Sequence, residues 1–230
     1  MATILITGAN KGIGLELASL YAQAGNTVLA GCREPNTAVE LAELAGRYDL
    51  KLIKVSVGED ASVAAMAAEL KGTAIDILIN NAGTIGPKRH QQTAYVMDFD
   101  GWADAMNINA MAPVRVMHSL LANLRASDNA KVANISSELG AISVDRPIGH
   151  AYSASKAALN KYMKLAALDL GKENIYIALI HPGWVQTSMG GVSADITPRA
   201  SAEGIMDVIK KLNASNNGGF WNWNGEVHPW

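Results

Sequence analysis

The sequence predicts an α/β fold built on one doubly wound parallel sheet, and three observations predict it. Short, mostly continuous runs of β-branched residues and leucine alternate with longer stretches of helical period, as expected for strands buried on both faces and joined by crossover helices. The first such run passes directly into a glycine-rich turn, Thr7-Gly8-Ala9-Asn10-Lys11-Gly12-Ile13-Gly14, that opens the first helical stretch. No repeat and no linker divides the 230 residues, so 1–230 are expected to form a single domain of Rossmann-like topology.

In chain order, the apolar runs place strands at 3–7, 27–31, 52–55, 75–79, 131–135 and 176–180, with a further strand at 220–223. Helical spacing covers 13–24, 38–46, 61–70, an interrupted stretch at 100–125, then 152–170 and 200–212. Pro113 lies inside the interrupted stretch; it has no N–H to give the Asn109 carbonyl, which predicts a kink there. Three non-periodic stretches, 83–97, 136–151 and 181–199, each follow the carboxyl end of a strand. Ligands of open α/β sheets bind at that edge, so the chemistry is expected in these loops.

Composition narrows the function. Apolar residues, 49% of the chain, suffice for a sizeable core, while charged residues are only 17% and the net charge is −2. A strongly basic nucleic-acid binder and a highly charged disordered chain are both excluded. Cys32 is the one cysteine, which excludes an internal disulfide framework and a multi-cysteine metal site and suits a reducing compartment. No apolar run approaches the ~18 residues that span a bilayer, and the N-terminus has no basic segment ahead of a long apolar one. The expected setting is cytoplasmic, with no membrane or nucleic-acid partner. No pair of histidines or carboxylates has metal-ligand spacing, so no metal is expected.

The glycine turn has a chemical reading. Gly8 and Gly12 permit a tight turn and close approach of a phosphate to backbone, Gly14 lets helix and strand pack closely, and the helix N-terminus offers free N–H groups and a positive dipole end. A turn selected only for packing is the alternative. After the second strand comes Cys32-Arg33-Glu34. Arg33 and Lys11 suit a ribose 2′-phosphate, which favours NADP (NADPH) over NAD, whereas Glu34 would suit a free 2′-hydroxyl.

Tyr152 and Lys156, at i and i+4, share one helix face. A nearby cation favours the phenolate, so the Tyr152 pKa is expected to fall towards the range of general acid–base work. Ser136 and Ser137 stand at the end of the fifth strand, and a serine hydroxyl can both donate to and accept from a carbonyl or alcohol oxygen. His150 and His181 are expected in loops. The terminal Trp221, Trp223 and Trp230 either line a pocket or pack the terminal strand.

These pieces, with Asn80-Asn81-Ala82-Gly83 after the fourth strand, Asn109, and His181-Pro182-Gly183-Trp184-Val185-Gln186-Thr187, come in an order that resembles the short-chain dehydrogenase/reductase family over essentially the whole chain. Residues 135–142, the PGWVQTSMGG segment at 182–191 and the terminal Gly219-Phe220 to Trp230 look most like its C-factor and sniffer-type carbonyl reductase branch. The resemblance implies that Tyr152 is the acid/base, that Ser137 polarises the substrate oxygen, and that Lys156 binds the nicotinamide ribose. It implies that Asn109 holds a water relaying protons to Lys156, to which the carbonyl freed by Pro113 would contribute. Gly8, Asn10, Lys11, Gly12, Ile13, Gly14 and Arg33 would bind the cofactor's phosphates; Asn81, Ala82 and Gly83 would border its adenosine side. Pro182, Gly183, Val185 and Thr187 would meet the nicotinamide carboxamide and pyrophosphate. Two departures stand out: the 15-residue step from Ser137 to Tyr152 is slightly longer than the family's usual spacing, and Ser56 occupies the position where the family often has an adenine-binding aspartate.

The function so implied is reduction of an aldehyde or ketone, reversible with the alcohol. The alternative is a signalling or regulatory protein of the C-factor type with little turnover. Alanine-rich helices (Ala154, Ala157, Ala158, Ala166, Ala167) and a charge-poor surface are compatible with close helix contacts, and with the resemblance they imply a homodimer or homotetramer.

Overall fold

The computed structural model describes residues 1–230. Seven strands form one sheet: β1 Thr3–Thr7, β2 Thr27–Cys32, β3 Leu50–Lys54, β4 Ile77–Asn80, β5 Ala130–Ile135, β6 Ile175–His181 and β7 Gly219–Asn222. Their order is β3-β2-β1-β4-β5-β6-β7, and every pairing is parallel. The helices are α1 Gly12–Gln23, α2 Val39–Ala45, α3 Asp60–Glu69, α4 Phe99–Met106, α5 Ala112–Ser119, α6 Leu121–Arg125, α7 His150–Leu170 and α8 Pro198–Lys211. This is the doubly wound Rossmann-like sheet that the alternation predicts.

Each face of the sheet buries its own core. On one face Ile4, Ile6, Val28 and Ile180 pack against Leu17 and Tyr21 of α1 and Ile205 and Ile209 of α8. On the other, Leu5, Leu78, Val132 and Leu179 meet Val63 and Met66 of α3, Val116 and Met117 of α5, and Leu159 and Met163 of α7. Alternate residues of one strand serve opposite cores, which is why β1 and β6 are nearly continuous apolar runs and why the polar Asn80 and Asn134 of β4 and β5 are themselves buried.

The chain order reverses between β1 and β4, which leaves a crevice outside the carboxyl ends of those strands. The glycine turn lies at the end of β1, and the loops after β4, β5 and β6 lie at the same edge.

Three expectations shift. β3 begins at Leu50, earlier than its apolar run, because it is an edge strand with Lys51 and Lys54 exposed. β4 begins at Ile77: Ile75 is fully buried but lies outside the strand, its amide bonded to the Asn123 carbonyl. Pro113 does not give a plain kink. The chain instead winds a π-turn over Asn107–Met111, with the Ala112 amide reaching back to the Asn107 carbonyl, and Pro113 sits in the first turn of α5. One wider turn accommodates the residue that cannot donate, and such turns recur at functional sites.

Candidate active site

The glycine turn is shaped by its neighbours. Gly8 and Gly12 take left-handed φ values of 65° and 56°, and a Cβ on Gly14 would stand 2.3 Å from the Gly8 carbonyl oxygen. From β4, Asn81 donates Nδ2 to the carbonyls of Thr7 and Gly8, both at 3.0 Å. In return the Thr7 hydroxyl accepts the amides of Asn81 at 3.0 Å and Ala82 at 3.1 Å. Thr7 was not among the expected site residues, although it stands directly before the glycines.

This turn fits a dinucleotide. Helix α1 has no side-chain cap and no acid in its first turn, so its leading amides face the crevice without a competing protein acceptor. The Thr187 methyl lies 3.1 Å from where a Gly12 Cβ would be, which brings the loop after β6 over the turn. Lys11 and Arg33 are exposed and enter none of the ion pairs of the chain. Glu34 is also exposed. At the end of β3, the Ser56 hydroxyl donates to Glu59 at 2.9 Å, so its lone pairs stay free to accept an amine.

Within the β6 loop, the Pro182 carbonyl accepts Ser201 Oγ at 2.7 Å and Gly183 takes φ 83°. Val185 is buried and bridges to Ile196. The Thr187 hydroxyl accepts the Gly190 amide at 3.1 Å.

The catalytic candidates converge from β5, the π-turn and α7. The turn after Ser137 lies on α7 so closely that a Cβ at Gly140 would stand 2.9 Å from the Lys156 backbone. The two serines differ: Ser136 spends its hydroxyl on Asn160 Oδ1 at 2.5 Å, while Ser137 Oγ accepts the Leu139 amide at 3.2 Å and lies near enough to the Tyr152 phenol to favour its charged form. Lys156 Nζ is 5.9 Å from the Tyr152 ring centre and donates to the Ile135 carbonyl at 2.7 Å. Asn109 Oδ1 and Lys156 Nζ flank Gly83, at 3.2 and 3.8 Å from where its Cβ would be. The Asn109 amide is committed within the protein: Nδ2 donates to the Thr84 carbonyl and Ser155 Oγ, and Oδ1 accepts the Thr84 amide.

The expected fall in the Tyr152 pKa is reversed. Burial pushes the phenol above its ordinary value, and the nearby Ser137 hydroxyl offsets only part of that rise. Burial likewise pushes the Lys156 ammonium down to about 8. Sequence spacing places a cation beside the phenol; it says nothing of depth, and here desolvation dominates. The phenol is therefore protonated at neutral pH, the state of a proton donor.

Other residues take structural places. His150 opens α7 instead of lying in a loop, and His181 ends β6, where its Nδ1 accepts the Glu138 amide at 3.1 Å beside Ser137. Burial holds the His181 imidazole down to about 4, so it stays neutral in that role. Of the tryptophans, Trp223 packs against Gly183 and Gly204, and Trp230 stacks near Phe220 and beneath Lys164. No group of three or more His, Cys, Asp or Glu side chains is gathered as a metal site.

Known proteins share this fold and family. The profile of the family described as short chain dehydrogenase matches residues 2–197. The C-signal protein of Myxococcus xanthus is 37% identical over 157 residues, 68% of this chain and 93% of that protein. Among solved structures, the NADPH-bound carbonyl reductase from chicken fatty liver superposes with a TM-score of 0.92 at 31% identity, covering 100% of this chain and 99% of that one. The carbonyl reductase Sniffer of D. melanogaster does so with a TM-score of 0.92 at 30% identity, over 100% of both chains.

Proposed function

The chain belongs to the short-chain dehydrogenase family, and on that premise we propose that it is an NADPH-dependent reductase interconverting an aldehyde or ketone with its alcohol. The observation that carries the reading is the gathering of Ser137 and Lys156 around the half-buried Tyr152, with Lys156 Nζ 5.9 Å from the ring centre and the phenol held above its ordinary pKa. Carbonyl reductases of the same fold, one of them NADPH-bound, support it. NADPH, when bound, supplies the hydride.

The chain's own residues do the rest. Gly8, Asn10, Lys11, Gly12, Ile13 and Gly14 hold the pyrophosphate at the α1 N-terminus, and Arg33 with Lys11 takes the 2′-phosphate. Ser56 accepts the adenine amine, and Asn81, Ala82 and Gly83 border the adenosine. Pro182, Gly183, Val185 and Thr187 fix the nicotinamide end. Ser137 and Tyr152 donate hydrogen bonds to the carbonyl oxygen, and Tyr152 then gives up its proton as negative charge develops there. Lys156 holds the ribose beside Tyr152, and Asn109 frames Lys156 from the π-turn.

A panel of aldehydes and ketones added to the NADPH-loaded protein tests the reading: oxidation of the bound cofactor is expected with at least one. A loaded protein inert to every carbonyl favours the low-turnover signalling alternative, which the likeness to C-signal supports. For cofactor choice, Arg33→Ala should weaken NADPH by about 10- to 100-fold, the worth of a charge-assisted phosphate pair, and leave NADH almost unchanged. Equal loss for both cofactors would remove Arg33 from the 2′-phosphate site.

We also propose a homodimer or homotetramer. Phe99, Met111, Tyr162, Leu165 and Leu168 are exposed on α4, the π-turn and α7, and α7 carries the alanines Ala154, Ala157, Ala158, Ala166 and Ala167. A sedimentation mass near 24.3 kDa at micromolar concentration would contradict it. No helix is long and apolar enough to cross a membrane, and the buried free thiol of Cys32 is compatible with the cytoplasm.

A further inference from the structure

Helix α7, which carries Tyr152 and Lys156, starts without a cap of its own. Its N-cap is Gly149, in a left-handed conformation at φ 59° and with no side chain to accept the leading amides. Those amides are served by a residue 60 positions earlier. Gln92 Oε1 accepts the Tyr152 amide at 3.2 Å, and the Gln92 carbonyl accepts the His150 amide at 3.4 Å. The same side chain donates Nε2 to the carbonyls of Ile85 at 3.2 Å and Pro87 at 2.5 Å. Gln92 is 1% exposed, and both its donors and its acceptor are in use. A Cβ on Gly149 would lie 3.7 Å from Gln92 Oε1, in ordinary van der Waals contact with the cap.

The loop that Gln92 gathers is anchored at its other end by Asn109, which pairs with both the amide and the carbonyl of Thr84. One buried amide thus joins the loop after β4 to the residue that bears the phenol. We propose that Gln92 is a positioning residue for Tyr152. It caps α7 from outside the helix, sets the height of the phenol over the crevice, and couples the shape of the loop around Ile85–Met97 to that height. Its effect on turnover rests on the reductase reading above; its effect on the helix start does not.

The test compares Gln92→Met, of similar length but without hydrogen-bonding groups, with Gln92→Glu, which keeps an acceptor for the Tyr152 amide and loses both donors. Amide hydrogen exchange at 150–152, NADPH affinity, melting temperature, kcat and KM are measured for both. In the methionine variant, exchange at Tyr152 should rise about tenfold and kcat fall about tenfold, the scale of a lost cap, with NADPH affinity within about twofold. In the glutamate variant the Tyr152 amide should stay protected and kcat should recover to within about threefold of wild type, while KM rises because the loop carbonyls have lost their donors. Wild-type protection of the Tyr152 amide in the methionine variant would overturn the proposal. So would equal kcat losses in both variants that track their melting temperatures, since that is a merely structural tie. If the unaltered protein turns over no carbonyl, the reductase reading fails, and exchange at Tyr152 still decides whether Gln92 is the cap.

Discussion

Tyr152→Phe is expected to lower kcat for carbonyl reduction by roughly 10²–10⁴, the usual worth of a positioned acid–base group. The substitution removes one hydroxyl from a ring of otherwise equal shape. Neither core contains that hydroxyl, so melting temperature and NADPH affinity should stay close to wild type. What vanishes is the protonated phenol, whose ionisation burial makes still harder. A Tyr152 with only a structural role predicts the opposite pattern: a lower melting temperature with turnover per folded molecule nearly intact. Measuring kcat and melting temperature on the same preparations separates the two.

Lys156→Met should separate function from stability in the other direction. It is expected to lower kcat by about 10² or more and to weaken NADPH by about tenfold, because in the proposed reaction the ammonium serves both the ribose and the phenol. Yet the unliganded variant should melt no lower than wild type at pH 7. The ammonium is buried, with its pKa pushed from the ordinary 10.5 to about 8. Below about 8 both folded and unfolded chains hold the proton, and the folded chain bears the full cost of a buried charge. Between about 8 and 10.5 the unfolded chain binds a proton that the folded chain has released, so wild-type stability should rise with pH across that window relative to the variant. The methionine has no proton to release and should lack this rise. The Ile135 carbonyl loses its 2.7 Å donor, which offsets part of the gain. Parallel pH profiles, with the variant lower throughout, would mean that Lys156 supports the fold and not the site.

Much of this was legible before the structure. Apolar continuity marked β1 and β6 because both faces of each are buried, and the glycine turn marked the crevice because only glycine fits the positive φ of Gly8 and Gly12. Boundaries failed where burial and strand pairing part company, as at Ile75, which is core without being strand. Pro113 announced a missing donor, but a chain can answer that with a kink or a π-turn, and the choice depends on what packs around Asn107–Met111. The Tyr152–Lys156 pair drew its weight from its place after the Ser136–Ser137 strand end more than from the i, i+4 spacing, and the direction of its pKa values was not legible, because desolvation depends on depth and no local pattern encodes it. The family resemblance singled out Ser137, but the partner that takes up the Ser136 hydroxyl, Asn160, lies 24 residues on and no local pattern points to it. Gln92 shows the limit most clearly. A helix that begins after glycine needs its amides capped from elsewhere, but no feature of the sequence says that the cap lies 60 residues upstream.

The most direct test of the central claim is deuterium transfer. NADPH carrying deuterium at the transferable C4 position is mixed with the protein and an aldehyde that oxidises the bound cofactor, and the alcohol is analysed by mass spectrometry. Wild-type protein should place one deuterium on the carbinol carbon at a rate that Tyr152→Phe lowers by roughly 10²–10⁴. An alcohol without deuterium, or one formed equally fast by the phenylalanine variant, would contradict the account.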